Sequence, residues 1–162
     1  STVRNMGRNA TGVRAITLDN DGFDHVVGMI AIENPEEETV MIVSEYGYGK
    51  RSEIEDYRKT NRGGKGVKTI NITEKTGKLI SIQSVTDDND LMIINKSGIT
   101  LRLDVSTIRV MGRATQGVRL INLEKRGDQI ASICKVNSEP EVTEETEATN
   151  GENVDTVENG NN

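Results

Sequence analysis

The sequence lacks the residues on which several classes of protein depend. Its 162 residues include one phenylalanine, three tyrosines and no tryptophan, so it has no set of aromatic side chains for stacking unpaired bases, as single-strand and RNA binders have. The single cysteine, Cys134, excludes an internal disulfide and fits a reducing compartment. No run of about 18 apolar residues occurs, so we expect no membrane-spanning helix.

The residues that carry catalysis are also scarce. His25 is the only histidine and has no evident partner for a triad, and Cys134 lies in an apolar run that predicts a core position. The acidic cluster at Asp87, Asp88 and Asp90 lacks the glycine and terminal glutamate of a calcium loop. We therefore expect no catalytic residue, no metal site and no cofactor in this chain.

The charge is unevenly distributed along the chain. The net charge is −6, but residues 1–136 hold all 20 lysines and arginines with 18 acidic residues, a net of +2. Residues 137–162 hold eight acidic and no basic residues, and few apolar ones. We predict two regions, a folded body at 1–136 and a disordered acidic tail at 137–162. Because Ser1 stands in place of an initiator methionine, we also expect a fragment or a processed product.

One pattern occurs three times. MGRNATGVRAI (6–16), TNRGGKGVKTI (60–70) and MGRATQGVRLI (111–121) share an arginine, then three residues, then Gly-Val, a basic residue, one more residue and isoleucine. HVVGMIAI (25–32), KLISIQSV (78–85) and QIASICKV (129–136) form a second set, and VMIVSEYGYGKRSEI (40–54) is matched by LMIINKSGITLRLDV (91–105). A period of roughly 50 residues indicates a repeat architecture.

The repeated unit predicts an all-β fold. Within the first unit, short Val- and Ile-rich runs bounded by turn residues predict strands at 13–18, 26–32, 39–44 and 50–54. Four strands per unit are typical of propeller-like blades, here two full blades and a partial third, with a solenoid of hairpins as the alternative. Because end units have fewer neighbours, we expect an open arc with its weakest part at residues 118–136.

The basic glycine loops are the main candidates for function. Loops that occupy equivalent places in blades lie along one rim, so Arg8, Arg62 and Arg113 predict an arc of cations suited to a curved polyanion. Glycines that merely allow turns, with cations for solubility, are the plainer interpretation. The predicted phosphate ligands are Arg8, Arg14, Lys50, Arg51, Arg62, Lys65, Lys68, Arg113 and Arg119.

The expected nucleic acid is duplex DNA. The sequence contains neither an aromatic platform nor a recognition helix or a zinc-ligand set, which leaves binding to the phosphate backbone with little reading of bases. A propeller that docks an acidic protein partner through its basic loops is the alternative. An enzyme acting on phosphate esters ranks last, because it would need paired carboxylates, metal ligands or an activated nucleophile.

Three motifs together resemble the C-terminal repeat domain of the DNA gyrase A family, with the related topoisomerase IV family as the less close match. They are MGR-x3-GVR, EYGYGKRSEI (45–54) and TNRGGKGV (60–67). Residues 60–66 match the last five positions of the family's heptapeptide Gln-Arg-Arg-Gly-Gly-Arg/Lys-Gly, whereas Thr60 and Asn61 replace Gln and Arg. This copy resembles a later relative of the first-blade heptapeptide, which we expect upstream of Ser1.

The resemblance implies a role within a larger enzyme. The family's fold is a β-pinwheel, a propeller-like disc whose blades exchange strands and whose rim wraps DNA for ATP-dependent negative supercoiling. The catalytic tyrosine is expected upstream, and ATP and magnesium on the partner B subunit, so this fragment is itself non-catalytic. The implied setting is an A2B2 complex with the gyrase B subunit in the bacterial cytoplasm, on the nucleoid.

Overall fold

The chain forms seven antiparallel strands in a computed structural model that describes residues 3–19, 22–124 and 127–138. The strands are β1 (Thr39–Ser44), β2 (Tyr48–Glu53), β3 (Leu79–Val85), β4 (Asn89–Asn95), β5 (Thr100–Asp104), β6 (Val118–Arg119) and β7 (Ile130–Asn137). Two single-turn 3₁₀ helices, Ile54–Asp56 and Val105–Thr107, follow β2 and β5. Within the described ranges, no helix is long and apolar enough to cross a membrane.

The strands form two blades that share one strand. In the first blade, β1 pairs with β2 and with β3, and in the second blade β4 pairs in the same way with β5 and β7. The first blade has a fourth strand, because β6 leaves the chain of the second blade and pairs with β2. This exchange between neighbouring blades confirms the propeller-like, all-β fold. It also argues against a solenoid of separate hairpins.

Two of the four strands predicted for the first unit are wrong. The strand at 39–44 is confirmed, and the one predicted at 50–54 is observed at Tyr48–Glu53, but neither 13–18 nor 26–32 forms a strand. By sequence, 26–32 corresponds to β3 and β7, each of which pairs with the hairpin that precedes it. No hairpin precedes residue 26 in the described part of the chain, so this segment has no ladder there, and Met29 is 91% exposed.

The partial unit therefore lies at the opposite end from the expected one. We expected residues 118–136 to be the weakest part, but β7 pairs with β4 from Asn89↔Asn137 to Asn95↔Ile130. The folded body also continues past the predicted boundary at residue 136, because the Ser138 amide donates to Asp88 O at 3.0 Å. The rest of the predicted tail, 139–162, lies outside the described residues.

Apolar side chains hold the two blades face to face. One core cluster contains Met41 and Val43 from β1 together with Leu91 and Ile93 from β4. A second cluster, around Ile42 and Ile70, covers the opposite face of the first blade, so all six residues of β1 are buried. Cys134 was predicted to lie in the core, but it is exposed, because Ile130 and Ile133 are the β7 side chains that face the other blade.

Candidate nucleic-acid interface

The three basic loops adopt the same turn. Turn 1 (residues 7–10), turn 2 (61–64) and turn 3 (112–115) each close with a hydrogen bond from the fourth amide to the first carbonyl, at 3.1, 3.4 and 3.3 Å. An arginine occupies the second position of each turn, and these are Arg8, Arg62 and Arg113. Because an amide hydrogen bond closes each turn locally, the backbone fixes where each arginine leaves the surface.

The repeated glycine of the pattern has a backbone reason. Gly12, Gly66 and Gly117 have φ of 91°, 80° and 85°, a region that side-chain-bearing residues rarely adopt. At Gly117 a Cβ atom would also lie 2.5 Å from Gly49 O in β2. The plainer interpretation therefore holds for these glycines: they bring the chain back to the sheet after each turn.

The turns are linked to one another in a row. The Thr17 amide donates to Gly64 O at 3.0 Å, and the equivalent amide one repeat later, Asn71, donates to Thr115 O at 3.4 Å. The segment that follows one turn thus lies beside the next turn in both cases. The spacing between successive turns is consequently set by backbone contacts that recur with the sequence repeat.

Six of the nine predicted phosphate ligands are exposed. They are Arg8, Arg14, Arg62, Lys65, Lys68 and Arg119. Arg14 and Arg62 come from consecutive repeats and line one open cleft of about 660 Å³, together with Val13, Thr60, Asn61 and Gly63. Two guanidinium groups beside one cleft offer paired donors to an anion such as a phosphate.

Some of these exposed cations have nearby partners at the surface. Lys65 lies 3.6 Å from Asp19 with both side chains more than 70% exposed, and Arg119 lies 3.3 Å from Glu124. Surface ion pairs of this kind contribute about 0–1 kcal/mol. Lys68 donates to the Asn71 side chain at 2.9 Å. Such contacts are weak enough for these cations to exchange partners with an incoming anion.

Arg113 is held more firmly than its counterparts. The half-buried guanidinium donates through Nε to Asp56 O at 3.0 Å and through Nη1 to Lys68 O. Its own amide donates to Asp56 Oδ2 at 3.1 Å. Arg113 therefore ties turn 3 to the end of β2. Sequence reasoning missed Asp56, since the repeat places Thr107 at the equivalent position and gives no signal for an acid there.

Lys50 and Arg51 are buried, contrary to the surface role predicted for them. The Lys50 ammonium donates to Gly112 O at 2.8 Å and also to Arg113 O. The Arg51 side chain donates to Val105 O at 2.9 Å and pairs with Asp87 at 2.8 Å. With exposures of 0% and 5%, neither side chain reaches the surface, and both instead join the first blade to segments of the second.

The burial of Lys50 alters its titration. Removal from water lowers the pKa of Lys50 from 10.5 to about 8, the nearby Asp56 carboxylate opposes this shift and the Arg113 charge adds to it. The repeat alignment offered a signal for this burial. Lys50 corresponds to Leu101 in β5 and stands opposite Ile42 in β1, both of them apolar positions.

The chain matches one family model in three places. Residues 1–33, 38–86 and 89–136 match the family described as "DNA gyrase C-terminal domain, beta-propeller". The second and third matches each contain one hairpin and the strand that pairs with it, β3 or β7. The boundaries of the family's repeat thus coincide with the blades of this structure.

Proteins similar to the chain carry a gyrase name. It is 46% identical over 153 residues to the DNA gyrase A subunit of Staphylococcus aureus (strain NCTC 8325 / PS 47), covering 92% of this chain and 17% of that protein. It is also 46% identical over 139 residues to the DNA gyrase A subunit of Staphylococcus epidermidis, covering 86% and 15%. The chain therefore spans only about a sixth of the length of these relatives.

Solved structures share its fold. A DNA gyrase A C-terminal domain superposes with a TM-score of 0.71 at 25% identity, covering 82% of this chain and 44% of the other. The C-terminal domain of a DNA topoisomerase IV gives 0.76 at 20% identity, covering 85% and 42%. With the three family matches and the staphylococcal relatives, these findings show that the chain belongs to the DNA gyrase C-terminal domain family.

Proposed function

We propose that this chain is part of a DNA gyrase A subunit and holds duplex DNA by its phosphates, without catalysing a reaction itself. The observation that carries the proposal is the row of three equivalent turns, each with an arginine at its second position and further exposed cations beside it. Membership of the gyrase C-terminal domain family supports the same conclusion. In this role the chain contributes to the DNA wrapping of a type IIA topoisomerase.

Binding through the backbone fits the side chains at hand. Lysine and arginine neutralise phosphates irrespective of sequence, and such contacts position a duplex without reading it. The cleft between Arg14 and Arg62 offers the best-formed pair of donors, and Lys65, Lys68 and Arg119 add charge along the row. The buried Lys50 and Arg51 have no part in the proposed DNA contact.

The proposed setting is an assembly with the gyrase B subunit in the bacterial cytoplasm. In that A2B2 complex the ATP and magnesium sites belong to the B subunit. The described part of this chain contains no group of three or more His, Cys, Asp or Glu residues placed to hold a metal ion. We therefore assign this chain a binding role and derive no chemical step through either group.

The experiment is a titration of the full chain with fluorescent duplexes of two unrelated sequences over a salt series. We expect similar affinity for both duplexes and a log–log slope of about −0.9 for each phosphate neutralised. A poly-glutamate peptide of equal charge tests the alternative, a module that docks an acidic protein. Strong binding to the peptide with none to either duplex would contradict DNA binding and favour that alternative.

A further inference from the structure

Turn 3 owes its orientation to a residue of the other blade. Lys50 in β2 donates to Gly112 O at 2.8 Å, to Arg113 O, and to Thr115 Oγ1 at 3.4 Å. All three acceptors belong to turn 3, and the lysine is fully buried beneath it. One ammonium group thus uses its three N–H donors on a single four-residue turn.

These bonds decide which backbone groups face outward. A trans peptide holds its C=O and the following N–H on opposite sides. With the Gly112 and Arg113 carbonyls directed at Lys50, the Arg113 and Ala114 amides point away from it. The Arg113 amide meets Asp56 Oδ2 at 3.1 Å, whereas Ala114 is exposed. Backbone amides presented in this way are common phosphate ligands.

The Arg113 side chain has donors left for a ligand. Its bonds to Asp56 O and Lys68 O use Nε and Nη1. The guanidinium carries two further N–H groups on Nη2. Held by two carbonyls, it offers them from a fixed position close to the Ala114 amide, which lowers the entropy lost when a phosphate binds.

We propose that Lys50 is a positioning residue for phosphate binding at turn 3: it holds two carbonyls inward and so presents the Ala114 amide and Nη2 of Arg113 to a DNA phosphate. This inference rests on the proposed function. It adds a buried residue of one blade that governs a phosphate contact on a turn from the neighbouring blade.

The main test compares DNA binding by the full wild-type chain, Lys50→Met and Lys96→Met. Lys96 lies in the β4–β5 turn and bonds to Gln129, so Lys96→Met removes the same charge away from turn 3. We expect Lys50→Met to bind roughly tenfold more weakly, with a salt slope smaller by about 1, while Lys96→Met keeps the wild-type slope. Hydrogen exchange should quicken at 112–115 and stay slow in β4.

A pH series on the wild type tests the inference without a variant. The charged groups facing Lys50 are Asp56 and Arg113, neither of which titrates between pH 7 and 9, whereas burial lowers the pKa of Lys50 to about 8. A neutral amine has two N–H donors for three acceptors, so binding should weaken several-fold over this range at fixed ionic strength. Lys50→Met should lack this loss, which also controls for Cys134 and the terminal amine.

The outcomes separate the inference from the function on which it rests. Wild-type binding with the expected salt slope, together with unchanged affinity in Lys50→Met, would overturn the inference and leave the proposed function standing. No binding by the wild type would overturn both. If Lys50→Met fails to fold, Lys50→Leu, which places the residue found at Leu101, replaces it. If neither variant folds, wild-type affinity that is flat from pH 7 to 9 would overturn the inference.

Discussion

At the scale of single residues, Asp90 makes the stability of the second blade depend on pH. The hydrogen bond from Arg102, at 2.5 Å, and that from Ser138, at 2.9 Å, hold the pKa of this carboxyl below its usual value of 3.8. The folded state thus binds the proton less tightly than the unfolded state. The resulting stability is fully present above about pH 4 and is lost as the pH falls through the lower, folded value.

Urea unfolding at pH 7, 4 and 2.5 measures this contribution. We expect Asp90→Asn to destabilise the chain at pH 7 and to reduce the loss of stability on acidification. Asp88→Asn is the matched control, since the bond from Ser138 reaches the Asp88 backbone and not its side chain. If Asp90→Asn and the wild type lose the same stability between pH 7 and 2.5, Asp90 is not the titrating group.

Residue type alone did not separate surface cations from buried ones. Arg14 and Arg62 were correctly placed at the surface, because they flank glycine turns that cannot be buried without leaving polar backbone unpaired. Lys50 was misplaced because charged residues are rarely buried unless they have partners, and its partners lie more than 60 residues away along the chain. Only the alignment with Leu101 carried the necessary information.

At the scale of elements, Gly117 tests the exchange of β6 between the blades. A Cβ atom at Gly117 would lie 2.5 Å from Gly49 O, whereas Gly98 has the same left-handed φ with nothing within 4 Å. We expect Gly98→Ala to cost about 1 kcal/mol of unfolding free energy from backbone strain alone. Gly117→Ala should cost roughly 1–3 kcal/mol more, because the backbones of β2 and β6 cannot both stay in place. Equal costs in denaturant titrations would show that β6 does not pack against β2.

The elements were predictable where pairing is local. β1 and β2 are joined by a three-residue turn, and their Val- and Ile-rich pattern placed both correctly within two residues. Segment 26–32 has an equally strong strand pattern, yet it has no ladder in the structure, since a strand also requires a neighbour. The position of β6 beside β2 could not be predicted, because it depends on contacts between residues about 70 apart in the sequence.

At the scale of the whole molecule, the uneven charge predicts competition between the acidic tail and DNA. Residues 139–162 carry eight carboxylates that are tethered to a body with a net positive charge. A tethered polyanion has a high effective concentration near the same cations. We expect deletion of 139–162 to strengthen DNA binding, most of all at about 50 mM salt, where screening is weak. Equal affinities of the truncated and full chains at that salt would rule out the competition.

The central claim is that the cleft between consecutive repeats grips DNA phosphates, and the salt dependence of binding by Arg14→Gln, Arg62→Gln and the double variant tests it most directly. Each arginine stands for about one neutralised phosphate, so each single variant should reduce the log–log slope by about 0.9 and the double variant by about twice that. Lys96→Gln, which removes a charge at the β4–β5 turn, should leave the slope unchanged. A double variant that binds duplex DNA with the wild-type affinity and slope would contradict the account.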